Sequence, residues 1–323
     1  MLSILGDVYL DDTYQLELDF NDVIINLEYP LYNDGEPSKN KVNLGANKPN
    51  LLDTFEVKPL AVCLANNHIM DYGNSSFEKT VNYLNAENIK LYGAGTEENN
   101  YNNPAIIESG NKKIALLGYC CPSTHPNFGG KGINGVAEIC EDRISQDIES
   151  AKLKSDFVIV QLHWGDEEIS VAKPCDVMLA KRIVDLGADL IIGHHAHVIQ
   201  PIEFYKGKAI FYGLGNFIFP DLDVPSHFDG DNFLGRYVKK QNKHNKTSIV
   251  VELKDEFQLD FYTTKFDGKK VYKNKVKIPK LKISDEKNYY FYKKIFFKTR
   301  SLVRFLKSPK IPSISQLKSF IRF

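Results

Sequence analysis

Three of the chain's eight histidines fall within four residues, in the stretch Gly193-His194-His195-Ala196-His197. Imidazole is the commonest protein ligand for transition metals. Here it follows an apolar run, Leu190-Ile191-Ile192, that reads as a buried strand. On an extended exit from that strand, His195 and His197 would project the same way, because side chains two apart share a face. An apolar run ending in a small polar cluster recurs at Asp7, at Asn26 to Glu28, at Asn67-His68 and at His163. Carboxylate, amide and imidazole without thiolate form an oxygen and nitrogen donor set. It suits Mn²⁺, Fe²⁺ or Zn²⁺ rather than a structural cysteine-type zinc. Two such ions sharing a carboxylate, for which Glu28 is the candidate, suit in-line displacement at phosphorus. His68, beside the amide of Asn67, is suited to protonate a leaving-group oxygen instead of binding metal.

Five strands must bring these clusters together. Segments 2–5, 23–25, 60–64, 157–162 and 190–192 are short apolar runs, each with its polar cluster just past the C-terminal end. In sheets of α/β type such ends gather along one rim, where ligands bind. Further strands are expected at 89–92, 105–108, 114–119 and 209–212, the last leading to Gly215-Asn216. Helical spacing over 75–85 places Phe77, Val81 and Leu84 on one face, with Asn74 or a following serine as the cap. Helices are also expected at 138–153 and at 176–186, the latter stopped by Gly187. The polar stretch 33–50 and the Gly-rich 127–135 read as loops. Segments 248–253 and 259–264 read as a late antiparallel pair.

The bulk composition admits this α/β reading. The chain has 323 residues, 43% of them hydrophobic, which is enough for a large buried core and excludes a disordered protein. No apolar run approaches the ~18 residues of a membrane span. Cys63, Cys120, Cys121, Cys140 and Cys175 are odd in number and lack C-x-x-C spacing, so no disulfide framework is expected. With Met1 leading straight into a strand, a cytoplasmic location is expected. Net charge is zero but unevenly spread: residues 287–323 hold ten Lys and Arg and no acidic residue. The remaining 31 basic and 41 acidic side chains leave an acidic body. Nothing points to nucleic acid as a partner.

Read in order, the motifs resemble the CapA family of capsule and poly-gamma-glutamate synthesis proteins, within the calcineurin-like metallophosphoesterase superfamily. The resemblance rests on Gly6-Asp7-Val8, Asn26-Leu27-Glu28, Ala65-Asn66-Asn67-His68-Ile69-Met70-Asp71-Tyr72-Gly73 and Tyr92-Gly93-Ala94-Gly95. It continues through His163-Trp164-Gly165, the run from Gly187 to Pro201, and Tyr212-Gly213-Leu214-Gly215-Asn216-Phe217. It implies a four-layer α/β/β/α sandwich holding one or two divalent ions at the strand ends. The implied ligands are Asp7, Glu28, Asn67, His163, His195 and His197, with His68 as acid and Asp71 orienting it. His194 and Asn216 are implied to line the site, and Asn26, Asn66 and Trp164 stand beside those motifs as further lining candidates. Two positions depart from the superfamily pattern: Tyr9 stands where a metal-binding histidine is usual, and Glu28 where an aspartate is usual. The implied activity is hydrolysis of a phosphorylated or polymer-precursor substrate, with a non-catalytic accessory role as the alternative.

The division expected is a 1–270 domain followed by a basic extension, 271–323. In the extension Tyr292, Ile295, Phe296, Leu302, Val303 and Leu306 follow one helical stripe. Lys293, Arg300, Arg304 and Lys307 lie on another face, and Pro309 and Pro312 end the pattern. Such a helix either covers its own acidic body or docks on an anionic membrane surface or a membrane enzyme, the inner membrane face being the expected place.

Overall fold

The computed structural model describes residues 1–280 and 285–307. Its core follows from the period-2 alternation of the first strands. In Leu2–Val8, Asp22–Leu27 and Ala61–Cys63, the side chains of Leu2, Ile4, Ile24, Ala61 and Cys63 enter one apolar layer. Leu5, Val8, Val23, Ile25, Leu27 and Val62 enter another, on the opposite face. Strands buried on both faces need two covering layers. The strands Lys112–Cys120, Phe157–His163 and Leu190–His194 divide in the same way. Ile114, Leu116, Ile159, Leu190 and Ile192 join the layer of Leu2 and Ile4, while Ala115, Leu117, Val158, Val160 and Ile191 face away.

Two sheets therefore meet face to face. The nine-stranded sheet has parallel strands Leu2–Val8, Asp22–Leu27, Ala61–Cys63 and Lys90–Tyr92 side by side, and Asn216–Ile218 also pairs with the first of them. Its other side continues antiparallel through Thr247–Leu253, Leu259–Phe266 and Lys270–Lys273. The six-stranded sheet is parallel across its four central strands, with antiparallel edges at Ile202–Tyr205 and Ala105–Ser109. Helix Gly73–Ala86 covers the outer face of the first sheet through Phe77 and Leu84. Helices Glu141–Lys152 and Pro174–Leu186 cover the second through Ile144, Ile148, Ala180 and Ile183. The result is the four-layer α/β/β/α sandwich.

Several local expectations are corrected. The five polar strand ends do not share one sheet: Asp7, Asn26 and Asn67 come from the first, His163 and His194 from the second. Asn74 does not cap its helix. Its amide donates to Glu78 Oε1 at 2.7 Å, and Tyr72 occupies the cap position with no side-chain bond. Asn216 begins a strand of the first sheet instead of following the strand Lys208–Phe211 of the second. All five cysteines are free, yet only Cys63 and Cys120 are buried. The sheet takes in Lys270–Lys273, beyond the 270/271 boundary expected from sequence. Residues of the second compact unit, from Ile283, form the helix Glu286–Lys307. Pro309 and Pro312 lie outside the described residues, as do the side chains of Val303, Arg304, Leu306 and Lys307.

Close backbone approach at two glycines sets where the sheets end. A Cβ on Gly6 would lie 2.0 Å from the carbonyl oxygen of Gly215, and one on Gly193 would lie 1.9 Å from that of Tyr212. Neither backbone can yield without displacing a strand. Gly6→Ala and Gly193→Ala should each cost about 3 kcal/mol of unfolding free energy or more. Gly130→Ala, with open space around it, should stay within about 0.5 kcal/mol. Urea titration of the three variants checks this.

Candidate metal centre

The layer between the sheets is apolar for most of its length and becomes polar at one end. Along Phe157–His163, the residues facing that layer are Phe157, Ile159, Gln161 and His163, so the strand's period delivers His163 to its rim. Along Leu190–His194 the same rule delivers His194. On the opposite sheet, register slips between Ile4 and Asp7. Without that bulge, Asp7 would share the outward face of Leu5. With it, Asp7 stands level with Asn26 and faces inward.

His195 and His197 are not on an extended strand end. The strand stops at His194, and both residues adopt left-handed backbone, with φ of 82° and 55°. Such conformations cost energy for residues with a Cβ and persist only when surroundings hold them. Here the His195 N–H donates to Asp7 Oδ2 at 3.3 Å, and the Asn245 side-chain amide donates to the His197 carbonyl at 3.0 Å. Ala196, between them, accepts the Glu168 N–H at 2.7 Å.

Glu28 lies at the centre. One ligand atom each from Glu28, His163 and His195 lie within 4.8 Å of one another, and so do those of Asp7, Glu28 and His197. Glu28 belongs to both triplets, and its Oε1 is 3.6 Å from Nε2 of both His163 and His197. Asn67 Oδ1 is 2.8 Å from His163 Nε2, which places the amide at the first triplet. Asp7 Oδ1 meets His194 Nδ1 at 2.7 Å and accepts the Asn26 amide at 2.9 Å. His194 and Asn26 thus orient Asp7. Asn216 Oδ1 meets His197 Nδ1 at 2.8 Å, while its amide donates to the Asn245 carbonyl.

Beside these groups, His68 Nδ1 is 2.6 Å from Asp71 Oδ2. Asp71 is fully buried and also accepts the Leu44 N–H at 2.8 Å. Asn66 Oδ1 accepts the N–H groups of His68 and Ile69, and its amide donates to Leu27 O, tying the His68 turn to the strand that carries Asn26. Trp164 is corrected from a lining residue to a core residue. Its indole N–H donates to the Tyr212 carbonyl at 2.9 Å, and it packs within the layer beneath helices Glu141–Lys152 and Pro174–Leu186. Tyr9 is likewise turned away, packed edge-on against Tyr29.

Three residues at the site carry no motif signal. Lys41, in the polar loop, lies 2.5 Å from Asp71 Oδ1 and donates to the Asn67 carbonyl. Glu167 brings its carboxylate within 4.8 Å of ligand atoms of His195 and His197, with its side chain 48% exposed. Lys239, at the end of the hairpin Leu222–Phe228 and Phe233–Lys239, lies 3.7 Å from Glu167 and 3.1 Å from Glu168. The acidic run Asp166-Glu167-Glu168 after Gly165 was the available clue for Glu167. Lys41 and Lys239 are long-range neighbours that no local pattern announces.

Burial dominates the electrostatics. It pushes Glu28 well above the usual carboxylate range, reinforced by the Asp7 charge. Burial also raises Asp7, but hydrogen bonds to His194 and His197 outweigh it and hold Asp7 well below its ordinary value. His163 is pushed well down, and His195 down to about 4, chiefly by burial. His197 goes the other way. Burial opposes its charge, yet Glu28 and Asp7 raise it to about 9. Partial enclosure raises Glu167, but the charges of His197, Lys239 and His195 prevail and bring it to about 2.

The donor atoms fit a divalent cation. Both carboxylate oxygens of Glu28 are buried and accept no hydrogen bond, and His163 Nδ1, His194 Nε2 and His195 Nδ1 are also buried without partners. A buried carboxylate that accepts no hydrogen bond is costly, and a bound cation offsets that cost. Glu28→Gln should therefore leave the metal-free protein as stable as wild type or more so. It should also abolish most of the stabilisation that Mn²⁺ or Zn²⁺ gives, about 2.7 kcal/mol at a hundredfold excess over Kd. Thermal unfolding with metal and with chelator checks both halves.

Residues 15–221 match the family described as bacterial capsule synthesis protein PGA_cap. The chain is 34% identical over 180 residues to the PGA biosynthesis protein CapA of Bacillus subtilis, covering 55% of this chain and 47% of that protein. It is 31% identical over 202 residues to the capsule biosynthesis protein CapA of Bacillus anthracis, covering 60% and 49%. A probable polyglutamine synthesis accessory protein of Mycobacterium tuberculosis is 29% identical over 207 residues, covering 60% and 54%. The chain spans about half the length of these relatives. Among solved structures, a hypothetical protein from Thermus thermophilus aligns with a TM-score of 0.45 at 16% identity, over 85% of this chain and 99% of that one. A calcineurin-like phosphoesterase from Bacillus subtilis aligns at 0.35 and 19%, over 67% and 61%. With Glu28, Asn67, His68, His163, His195 and His197 inside the matched stretch, the chain belongs to the PGA_cap family of bacterial capsule synthesis proteins.

Proposed function

We propose that this chain is a metal-dependent hydrolase of the phosphoesterase type, acting in synthesis or turnover of a capsular or cell-surface polymer. The observation that carries the reading is Glu28, a buried carboxylate without hydrogen bonds, shared by two ligand triplets and set beside the His68–Asp71 pair. Asp7, Glu28, Asn67, His163, His195 and His197 would hold one or two divalent ions, Mn²⁺, Fe²⁺ or Zn²⁺. When bound, such ions supply Lewis-acid charge that stabilises negative charge developing on a substrate oxygen.

The chain's own groups do the rest. Asp71 holds His68 by Nδ1, which fixes the ring and leaves Nε2 to carry a proton to a leaving-group oxygen. Burial lowers the His68 pKa more than Asp71 raises it, and Lys41 adds to the lowering, so the protonated ring gives up its proton readily. Lys41 also fixes Asp71 and the Asn67 backbone in one contact set. The substrate class this arrangement fits is a phosphorylated compound or polymer precursor. The proposed location is cytoplasmic, with peripheral attachment at the inner membrane face.

One feature favours a second reading, an accessory subunit of a polymer-synthesis complex. The helix Glu286–Lys307 holds seven Lys and Arg against one acidic residue, and one relative is named an accessory protein. Among the described residues no helix is long and apolar enough to cross a membrane, so attachment there would be peripheral.

Two measurements separate the readings. Untagged protein reconstituted with Mn²⁺ should hydrolyse members of a panel of phosphomonoesters and phosphodiesters. His68→Asn should lower kcat by about 10²–10⁴ without loss of metal. A metal-loaded protein inert toward the whole panel would overturn the hydrolase reading. Removing residues 286–323 should leave hydrolysis intact while abolishing sedimentation with anionic vesicles; unchanged sedimentation would sink the attachment.

A further inference from the structure

We infer that Glu167 is a metal ligand of this centre, adding a carboxylate on the side where His195 and His197 stand. The inference rests on the metal-centre reading above and goes beyond its ligand set.

The two triplets that share Glu28 are unequally supplied. Glu28, His163 and His195 have Asn67 as a fourth donor, its Oδ1 lying 2.8 Å from His163 Nε2. Asp7, Glu28 and His197 have no such fourth group among the residues of the strand ends. Asp7 Oδ1 is engaged by His194 and Asn26, and His197 Nδ1 by Asn216. Tyr9, two residues after Asp7, is packed into the core against Tyr29 and Phe219. Three donors are fewer than the four to six that these cations take.

Glu167 approaches that position through His197, which belongs to both groups. Its carboxylate forms a third cluster with His195 and His197, all ligand atoms within 4.8 Å of one another. That placement is built into the backbone. Gly165, with φ of 86°, turns the chain after His163-Trp164 in a conformation that L side chains rarely adopt. The Glu168 N–H then donates to Ala196 O, pinning this turn to the His195–His197 loop. Lys239, which also contacts Glu167, has Glu168 at 3.1 Å to keep its charge paired when Glu167 turns to a metal. A second observation points to a cation: His195 Nδ1, in the same cluster, is buried without a hydrogen-bond partner, as are both oxygens of Glu28.

Through the shared His197, Glu167 adds a third carboxylate on the side of Asp7 and Glu28. That set favours a harder ion such as Mn²⁺, while the His163–His195 position, richer in nitrogen, tolerates zinc.

Mn²⁺ titration of the untagged full chain, followed by metal content and by electron paramagnetic resonance, tests the assignment. Wild type should bind two ions and give an exchange-coupled spectrum. Glu167→Gln should keep one ion tightly, weaken the other at least tenfold, and give an uncoupled spectrum. Glu168→Gln, which disturbs the Lys239 pairing but leaves the Glu167 carboxylate in place, should resemble wild type. Because the Glu167 side chain is about half exposed, the variant should fold, and a circular dichroism melt in chelator checks this. Two ions bound with unchanged affinity in Glu167→Gln would overturn the inference and leave the metal centre standing. So would a single ion indifferent to the substitution. A wild type that binds none would overturn the metal-centre reading itself.

Discussion

The layer between the two sheets is dry along most of its length and ends in charge. Leu2, Ile4, Ile24, Ile159, Leu190 and Ile192 exclude water from it, and Glu28, Asp7, His163 and His194 stand at its rim with almost no solvent contact. Removing charged groups from water is costly, and the cost is recovered only when each finds a partner. Asp7 has its partners in Asn26, His194 and the His195 backbone. Glu28 accepts no hydrogen bond. The contrast between two neighbouring buried carboxylates, one hydrogen-bonded and one accepting no hydrogen bond, is the physical fact around which the rest of the site is arranged.

Holding that arrangement requires backbone features that neither sheet would adopt alone. Asp7 reaches the rim through a register slip, His195 and His197 through left-handed conformations, and the acidic turn through Gly165. Gly6 and Gly193 permit the close approach of neighbouring carbonyls that seats these segments. Local strain of this kind persists because the surrounding sandwich over-determines it. The hydrogen bonds from Asn245 to His197 O and from Glu168 to Ala196 O are part of that restraint. They come from segments far apart in sequence, which makes the centre a product of the whole first unit.

Much of this was legible before any coordinates. Strands ending in Asp7, Asn26, His163 and His194 were visible as apolar runs followed by polar clusters, because a buried strand must be apolar until the residue at which it emerges. Asp71 stands three residues from His68, so its contact with the ring is short-range and readable. The His195–His197 pair was visible too, although its backbone was misjudged, since nothing in Gly-His-His-Ala-His shows where the strand stops. Trp164 was misplaced for a related reason. A strand-end aromatic faces the rim or the core according to parity, and parity after His163 depends on the turn at Gly165.

Sequence by itself determined the donor chemistry, the strand ends that carry it, and family membership, because residue type and local periodicity survive without tertiary context. Tertiary structure alone decided which donors each sheet supplies, that Glu28 is shared and accepts no hydrogen bond, and that Lys41, Glu167 and Lys239 stand at the site. The reason is geometric. A ligand cluster is defined by distances of a few ångströms between side chains as far apart in sequence as Asp7 and His197. Those distances follow from register, bulge and sheet stacking, which short-range pattern does not encode.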